Sequence, residues 1–137
     1  MNSKVELSNK HGRIAIVDAV RTPFARIATH YKDSNAIDLG VMVVNELIKR
    51  NNLNKDDIDQ LVFGMTVMIP EAPFIAREIA LQAGLENVDA YSITRACATS
   101  FQTIASAAET ILAGNAEMII AGGTDSTSSV RLPMSAK

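Results

Sequence analysis

The chain's single cysteine, Cys97, lies in the run Thr94-Arg95-Ala96-Cys97-Ala98-Thr99-Ser100-Phe101, between an apolar strand pattern and a long helical pattern. A thiol that opens a helix meets the unpaired N–H groups and the positive end of the helix dipole, and both favour the thiolate, the nucleophilic form. The same N–H groups can stabilise an oxyanion on an attacked carbonyl. A strand, a tight turn and a nucleophile at the head of a helix resemble in outline the elbow of acyl-transfer enzymes. Taken alone, a free cysteine is more often a small core residue, so both readings stand at this point. The side chains suited to general-base chemistry are His11, in the polar leader, and His30, in the loop after the first strand pattern. A lone loop histidine is ordinarily solvated. With one cysteine and no Cys/His ligand spacing, no metal site and no internal disulfide are expected.

The elements that must position Cys97 follow from periodicity. Arg13 to Val20 is a short, nearly continuous apolar run, as in a strand covered on both faces, and Arg21-Thr22-Pro23 stops it. From Asn35, a predicted N-cap with Asp38 three residues on, Ile37, Val41, Val44 and Ile48 form one helical face. A second strand spans Leu61 to Phe63. After Pro70-Glu71-Ala72-Pro73, Ile75 and Ile79 with alanines mark a short helix ending at Gly84. Tyr91 to Ile93 is a third strand, and a helix runs from about Cys97 to Ala113 and closes at Gly114. Met118 to Ala121 is a fourth strand, ending at Gly122-Gly123. The order βαβαβαβ predicts an α/β fold with one mostly parallel sheet and helices on both faces, because each parallel return needs a crossover.

The helix after Cys97 is unusual. Between Arg95 and Glu117 its one charged residue is Glu109. A helix on the outside of a single sheet keeps a charged face toward water, so this one is expected to lie between two layers. Phe101, Ile104, Ala108, Ile111 and Leu112 are suited to pack on the sheet, and Ala98, Ser106, Ala107 and Thr110 to let another layer approach. This chain supplies one sheet, so a partner, a second copy or further sequence would supply the second layer.

The totals exclude several classes. At 137 residues with 47% apolar and 20% charged, the chain has room for one domain with a real core. Thirteen basic and fifteen acidic residues without a basic stripe leave no footprint for nucleic acid. No apolar run approaches a membrane span, and the first residues lack the apolar stretch of a secretory leader, so the default expectation is cytoplasmic. Residues 1–12 read as a polar leader, 13–123 as the domain core and 124–137 as the start of a loop region. Gly122-Gly123 after a strand raises nucleotide binding, but neither GxGxxG nor GxxxxGK[ST] is present.

Arg13-Ile14-Ala15-Ile16-Val17 leading to Arg21-Thr22-Pro23-Phe24, then Thr94 to Ser100 around Cys97, then Ala113-Gly114 and Ala121-Gly122-Gly123-Thr124-Asp125-Ser126, together resemble the N-terminal part of a thiolase. Pro70-Glu71-Ala72-Pro73, Ile75-Ala76-Arg77-Glu78 and Cys97-Ala98-Thr99-Ser100-Phe101-Gln102 are similar to the 3-ketoacyl-CoA thiolase subunits of fatty-acid oxidation complexes and the related trifunctional β subunits. The resemblance covers nearly all of the chain from Arg13. It implies the N-terminal half of a thiolase-like fold, incomplete here, in which the Cys97 helix lies between the two sheets of a five-layer sandwich.

It also implies chemistry. Cys97 would be the nucleophile that attacks the keto carbonyl of a 3-ketoacyl-CoA, forming an acyl-enzyme that a second CoA resolves. Coenzyme A thioesters are then substrates, and no bound cofactor is expected. The family also uses a histidine, a second cysteine and a further His or Asn site, all later in its sequence, so the resemblance implies a truncated thiolase lacking turnover on its own. Implied partners are a second copy paired through the strand Ala90 to Thr94, a complementing C-terminal thiolase part, and the α subunit of an oxidation complex. Two other readings stay open: a ketoacyl-synthase-type condensing enzyme, which shares a similar Ala-Cys-Ala-Thr-Ser elbow, and a non-catalytic dimerisation or assembly fragment.

Overall fold

A computed structural model describes residues 13–129. The leader 1–12 with His11, and residues 130–137 of the C-terminal loop region, lie outside the described residues. In chain order the elements are α1 (Ala36–Arg50), β1 (Gln60–Gly64), α2 (Ile75–Gln82), β2 (Asp89–Ile93), α3 (Thr99–Leu112) and β3 (Ile119–Gly123). The strands form one parallel sheet in the order β2-β1-β3, with Gly64 in register with Ile93 on one side and Gly123 on the other. The expected α/β class and parallel sheet are what the chain adopts.

The expected first strand is not there. Residues 13–20 form no ladder, and Ile16 and Val17 are 78% and 85% exposed. An apolar run becomes a strand only where a neighbour supplies hydrogen-bond partners, and among the described residues none does. Instead the segment is tied sideways to the end of α1: Asn51 Nδ2 donates to Asp18 at 2.8 Å and Arg50 lies 3.7 Å from the same carboxylate. The observed order is therefore αβαβαβ.

The strand order explains why helices cover both faces. The path steps from β1 outward to β2, then back across β1 to β3. Crossovers of one hand moving in opposite directions must pass on opposite faces. Side-chain alternation agrees: Leu61, Phe63 and Ile120 are sealed with Ile37, Val44, Ile75 and Ile79 from α1 and α2, whereas Val62 points to the face covered by α3.

The helix ends follow the sequence signals. Asn35 Oδ1 accepts from the N–H groups of Ile37 and Asp38, and Asp38 accepts from the N–H of Asn35, a complete capping box. Gly84 and Gly114 have φ of 71° and 75°, and the N–H groups of Leu85 and Asn115 return to the carbonyls of Ala80 and Thr110. This is the left-handed stop that glycine allows at little cost.

Two further expectations change. Gly122-Gly123 does not follow the strand but forms the last two residues of β3, where a Cβ at Gly122 would enter the Phe63 ring and one at Gly123 would meet Ser100 Oγ. The face of α3 that meets the sheet is the row Thr99, Thr103 and Ala107, while Phe101 and Ile104 are 79% and 47% exposed. The sheet there presents Gly64, Ala121 and Gly123, so short side chains fit against it and the large ones turn outward. No helix among the described residues is long and apolar enough to cross a membrane.

Candidate active site

The carboxyl ends of all three strands meet at one edge. The N–H of Thr124 donates to the carbonyl of Gly64 at 2.9 Å, joining the end of β3 to that of β1. Thr94 Oγ1 donates to the carbonyl of Met65 at 3.3 Å, joining the end of β2 to the same place. Asp125 then accepts from the N–H groups of Thr66 and Val67 at 2.9 and 3.1 Å, which holds the loop that follows β1. Strand order reverses at β1, and in open parallel sheets ligands bind outside the carboxyl ends at such a switch point.

Cys97 is at this edge and is exposed, so the reading of it as a small core residue is set aside. It precedes α3 rather than opening it: Ala98 is the N-cap residue and Thr99 the first helical one. The turn from Arg95 to Thr99 is tight, with the N–H groups of Ala98 and Thr99 donating to the carbonyls of Arg95 and Ala96, each at 3.1 Å. Ala96 has φ of 49°, a region that residues with a Cβ rarely occupy and that clusters at functional sites.

The N-terminus of α3 is open. No side chain caps it and its first turn carries no acidic residue. The first N–H groups of a helix have no partner within the helix, so they stand ready for an acceptor. α1 closes the same kind of end with Asn35, and α2 receives Ser92 Oγ at 2.9 Å on the N–H of Ala76. The close approach of α3 to the sheet depends on Gly64, where a Cβ would collide with the Ile93 carbonyl oxygen and the Thr99 methyl group.

His30 lies exposed in the turns that lead to α1 and, among the described residues, forms no hydrogen bond with Cys97. Arg21 stacks over the Phe24 ring at 5.4 Å, and Arg77 donates to the carbonyl of Glu86 at 3.2 Å. Met65 is core, while Met68 is exposed on the loop after β1. No group of three or more His, Cys, Asp or Glu among the described residues could hold a metal ion. Periodicity had not singled out Thr99, Thr66 or Asp125. A hydroxyl two residues after the cysteine, at a helix start, was the available signal, since such residues hydrogen-bond their local backbone.

The chain matches the family model described as "Thiolase, N-terminal domain" over residues 14–137. It belongs to the thiolase family. It is 56% identical over 129 residues to a 3-ketoacyl-CoA thiolase of Pseudoalteromonas translucida (strain TAC 125), covering 93% of this chain and 30% of that protein. A 3-ketoacyl-CoA thiolase of Photorhabdus laumondii is 56% identical over 124 residues, covering 90% of this chain and 28% of that one. Among solved structures, the acetyl-CoA acetyltransferase of Bacillus anthracis superposes with a TM-score of 0.80 at 31% identity over 85% of this chain and 30% of its own. The Acat5 thiolase of Ascaris suum, in complex with coenzyme A, gives 0.78 at 28% identity, over 85% of this chain and 31% of its own. This thiolase chain thus spans about 30% of the length of the relatives it matches.

Proposed function

We propose that this chain carries the nucleophile of a 3-ketoacyl-CoA thiolase. The observation that carries the reading is the exposed Cys97 on a positive-φ turn, next to an uncapped helix N-terminus at the switch point of the sheet. The 56% identity to 3-ketoacyl-CoA thiolases supports the substrate class.

The Cys97 sulfur bonds to the keto carbon of a 3-ketoacyl-CoA, and the carbonyl oxygen takes the electron pair as an oxyanion, for which the open amides of α3 are suitable donors. Collapse of that intermediate breaks the carbon–carbon bond toward the thioester. The departing α-carbon takes the electron pair and, with a proton, leaves as acetyl-CoA. The thiol of a second CoA then attacks the Cys97 thioester, releasing the shortened acyl-CoA and restoring Cys97. Splitting the cleavage this way replaces one hard step by two easier ones. His30 is given no role. The base that activates Cys97 and the acid that protonates the α-carbon are assigned to the family's later residues, beyond the third of a thiolase that this chain spans, so turnover is expected to require that remainder.

The same reading holds that the outer side of α3, with Phe101 and Ile104, is covered in the working enzyme by a further layer. It also holds that a second copy pairs along β2, an edge strand of the described sheet, and that a fatty-acid oxidation α subunit is a partner, in the cytoplasm. A decarboxylating condensing enzyme is the rival acyl-transfer chemistry, and trial with a ketoacyl-CoA against a malonyl-carrier protein separates the two.

The test is incubation of the purified chain with acetoacetyl-CoA, followed by intact mass. A thioester adduct on the wild type that is absent from Cys97→Ala is the expected result. An adduct that persists in Cys97→Ala sinks the assignment. A folded wild type that gains an adduct only when a C-terminal thiolase part is added would confine the chemistry to the assembled enzyme.

A further inference from the structure

We infer that Thr99 is the positioning residue that holds Cys97 in its reactive place, an inference that rests on the acyl-transfer reading above. Ala96, the residue before the nucleophile, stands at φ of 49°. A residue with a Cβ does not stay there unless its surroundings hold it.

The hold comes from one hydroxyl. Thr99 Oγ1 accepts from the N–H of Arg95 at 2.8 Å and donates to the carbonyl of Ala96 at 2.7 Å. It therefore ties together two peptide groups on either side of the left-handed turn at Ala96. The N–H of Thr99 adds a bond to the same Ala96 carbonyl at 3.1 Å, and Thr66 Oγ1 reaches it at 3.4 Å. Cys97 lies between Ala96, whose carbonyl is anchored, and Thr99, which anchors it, so its direction follows from theirs.

Thr99 is itself immobilised. It is 4% exposed, and its methyl group fills the space where Gly64 has no Cβ. The hydroxyl acts on the turn and the methyl on the sheet, so the position of Cys97 is referred to the central strand rather than to a surface loop. Asp125, through the N–H groups of Thr66 and Val67, holds the adjoining loop to the end of β3.

The test uses the full chain with Thr99→Val, Thr99→Ser and the double variant Ala96→Gly/Thr99→Val. Two rates are read: alkylation of Cys97 by iodoacetamide, which needs no substrate, and adduct formation with acetoacetyl-CoA. Far-UV circular dichroism is recorded for each protein. Thr99→Val is expected to lose about tenfold or more in both rates while folded, since small misplacements of a reacting group are costly. Thr99→Ser keeps the hydroxyl and is expected to stay within about twofold of wild type. The double variant is expected to recover most of the loss, because glycine adopts positive φ without the Cβ penalty.

Rates for a folded Thr99→Val within about twofold of wild type would overturn the inference, because the hydroxyl's bonds would then be irrelevant to the thiol. An unfolded Thr99→Val leaves the decision to the double variant: folded and reactive, it upholds the role; unfolded or unreactive, it overturns it. If the wild type alkylates but forms no adduct, either alone or with a C-terminal thiolase part added, the acyl-transfer reading fails while the alkylation rates still judge Thr99.

Discussion

On one face of the sheet, Leu61, Phe63 and Ile120 lie under α1 and α2, with Val44, Ile75 and Ile79 fully buried among them. On the other, α3 sets Thr99, Thr103 and Ala107 against Val62 and the glycines, and leaves Phe101 and Ile104 in solvent. The helix ends differ in the same sense. α1 and α2 begin on donors satisfied by Asn35 and Ser92, while α3 begins uncapped beside Cys97. Stability is concentrated where large side chains interdigitate and side chains meet amides at the helix starts. Chemistry is placed where the backbone approaches closely and amides are left open.

Substitutions on the two faces should break this comparison most visibly if it is wrong. Ile79→Ala is expected to cost about 2–5 kcal/mol, because it opens a cavity in a fully packed layer. Phe101→Ser on the outer side of α3 should change the stability of the chain by no more than about 0.5 kcal/mol. Urea unfolding of both variants measures the contrast, and equal losses would mean that α3 is covered in the isolated chain.

The helix ends sharpen it. Ala98→Asp places a carboxylate over the open amides of α3, and is expected to slow adduct formation with acetoacetyl-CoA about 100-fold, the scale of losing an oxyanion donor. The same change should leave stability unchanged or improve it by about 0.3–1 kcal/mol, since a negative charge complements a helix N-terminus. Asn35→Ala is the mirror image, with a loss of about 1 kcal/mol in stability and no change in the adduct rate. Measured together, the pair should separate the two properties, one variant losing reactivity without stability and the other stability without reactivity.

The smallest effect concerns acid. Asp59 accepts from the N–H groups of Met118 and Glu117 at 3.0 and 2.7 Å, and these bonds hold its carboxyl below the usual carboxylate range. A group whose pKa is depressed by folding contributes above its unfolded value and loses that contribution as pH falls through the folded one. Stability should therefore decline as pH drops below about 4, and Asp59→Asn should flatten that part of the profile. An identical acid limb in the variant would remove Asp59 from the account.

Much of the fold was legible because it rests on local signals. The capping box at Asn35, the left-handed stops at Gly84 and Gly114, and the alternation of short apolar strands with helices each depend on a few neighbouring residues. The first strand was not legible for the opposite reason: Arg13 to Val20 has the composition of a strand, but a strand needs a neighbour's hydrogen bonds, and its residues say nothing about whether that neighbour is there. The orientation of α3 misled in the same way. Its apolar periodicity pointed Phe101 and Ile104 at the sheet, but the glycines that decide the matter are in β1 and β3, far away in sequence.

The sequence by itself determined the α/β class, the positions of the helices, the thiolase resemblance and the choice of Cys97, since composition, periodicity and motif are properties of the chain read in order. Tertiary structure alone decided that Cys97 is exposed at the carboxyl edge of the sheet, that Ala96 is held at positive φ by Thr99, and that Asp125 fixes the loop beside them. The Cys97 turn, the end of β1 and the end of β3 are about 30 residues apart at each step, and only packing of the strands against one another brings such groups within hydrogen-bond distance.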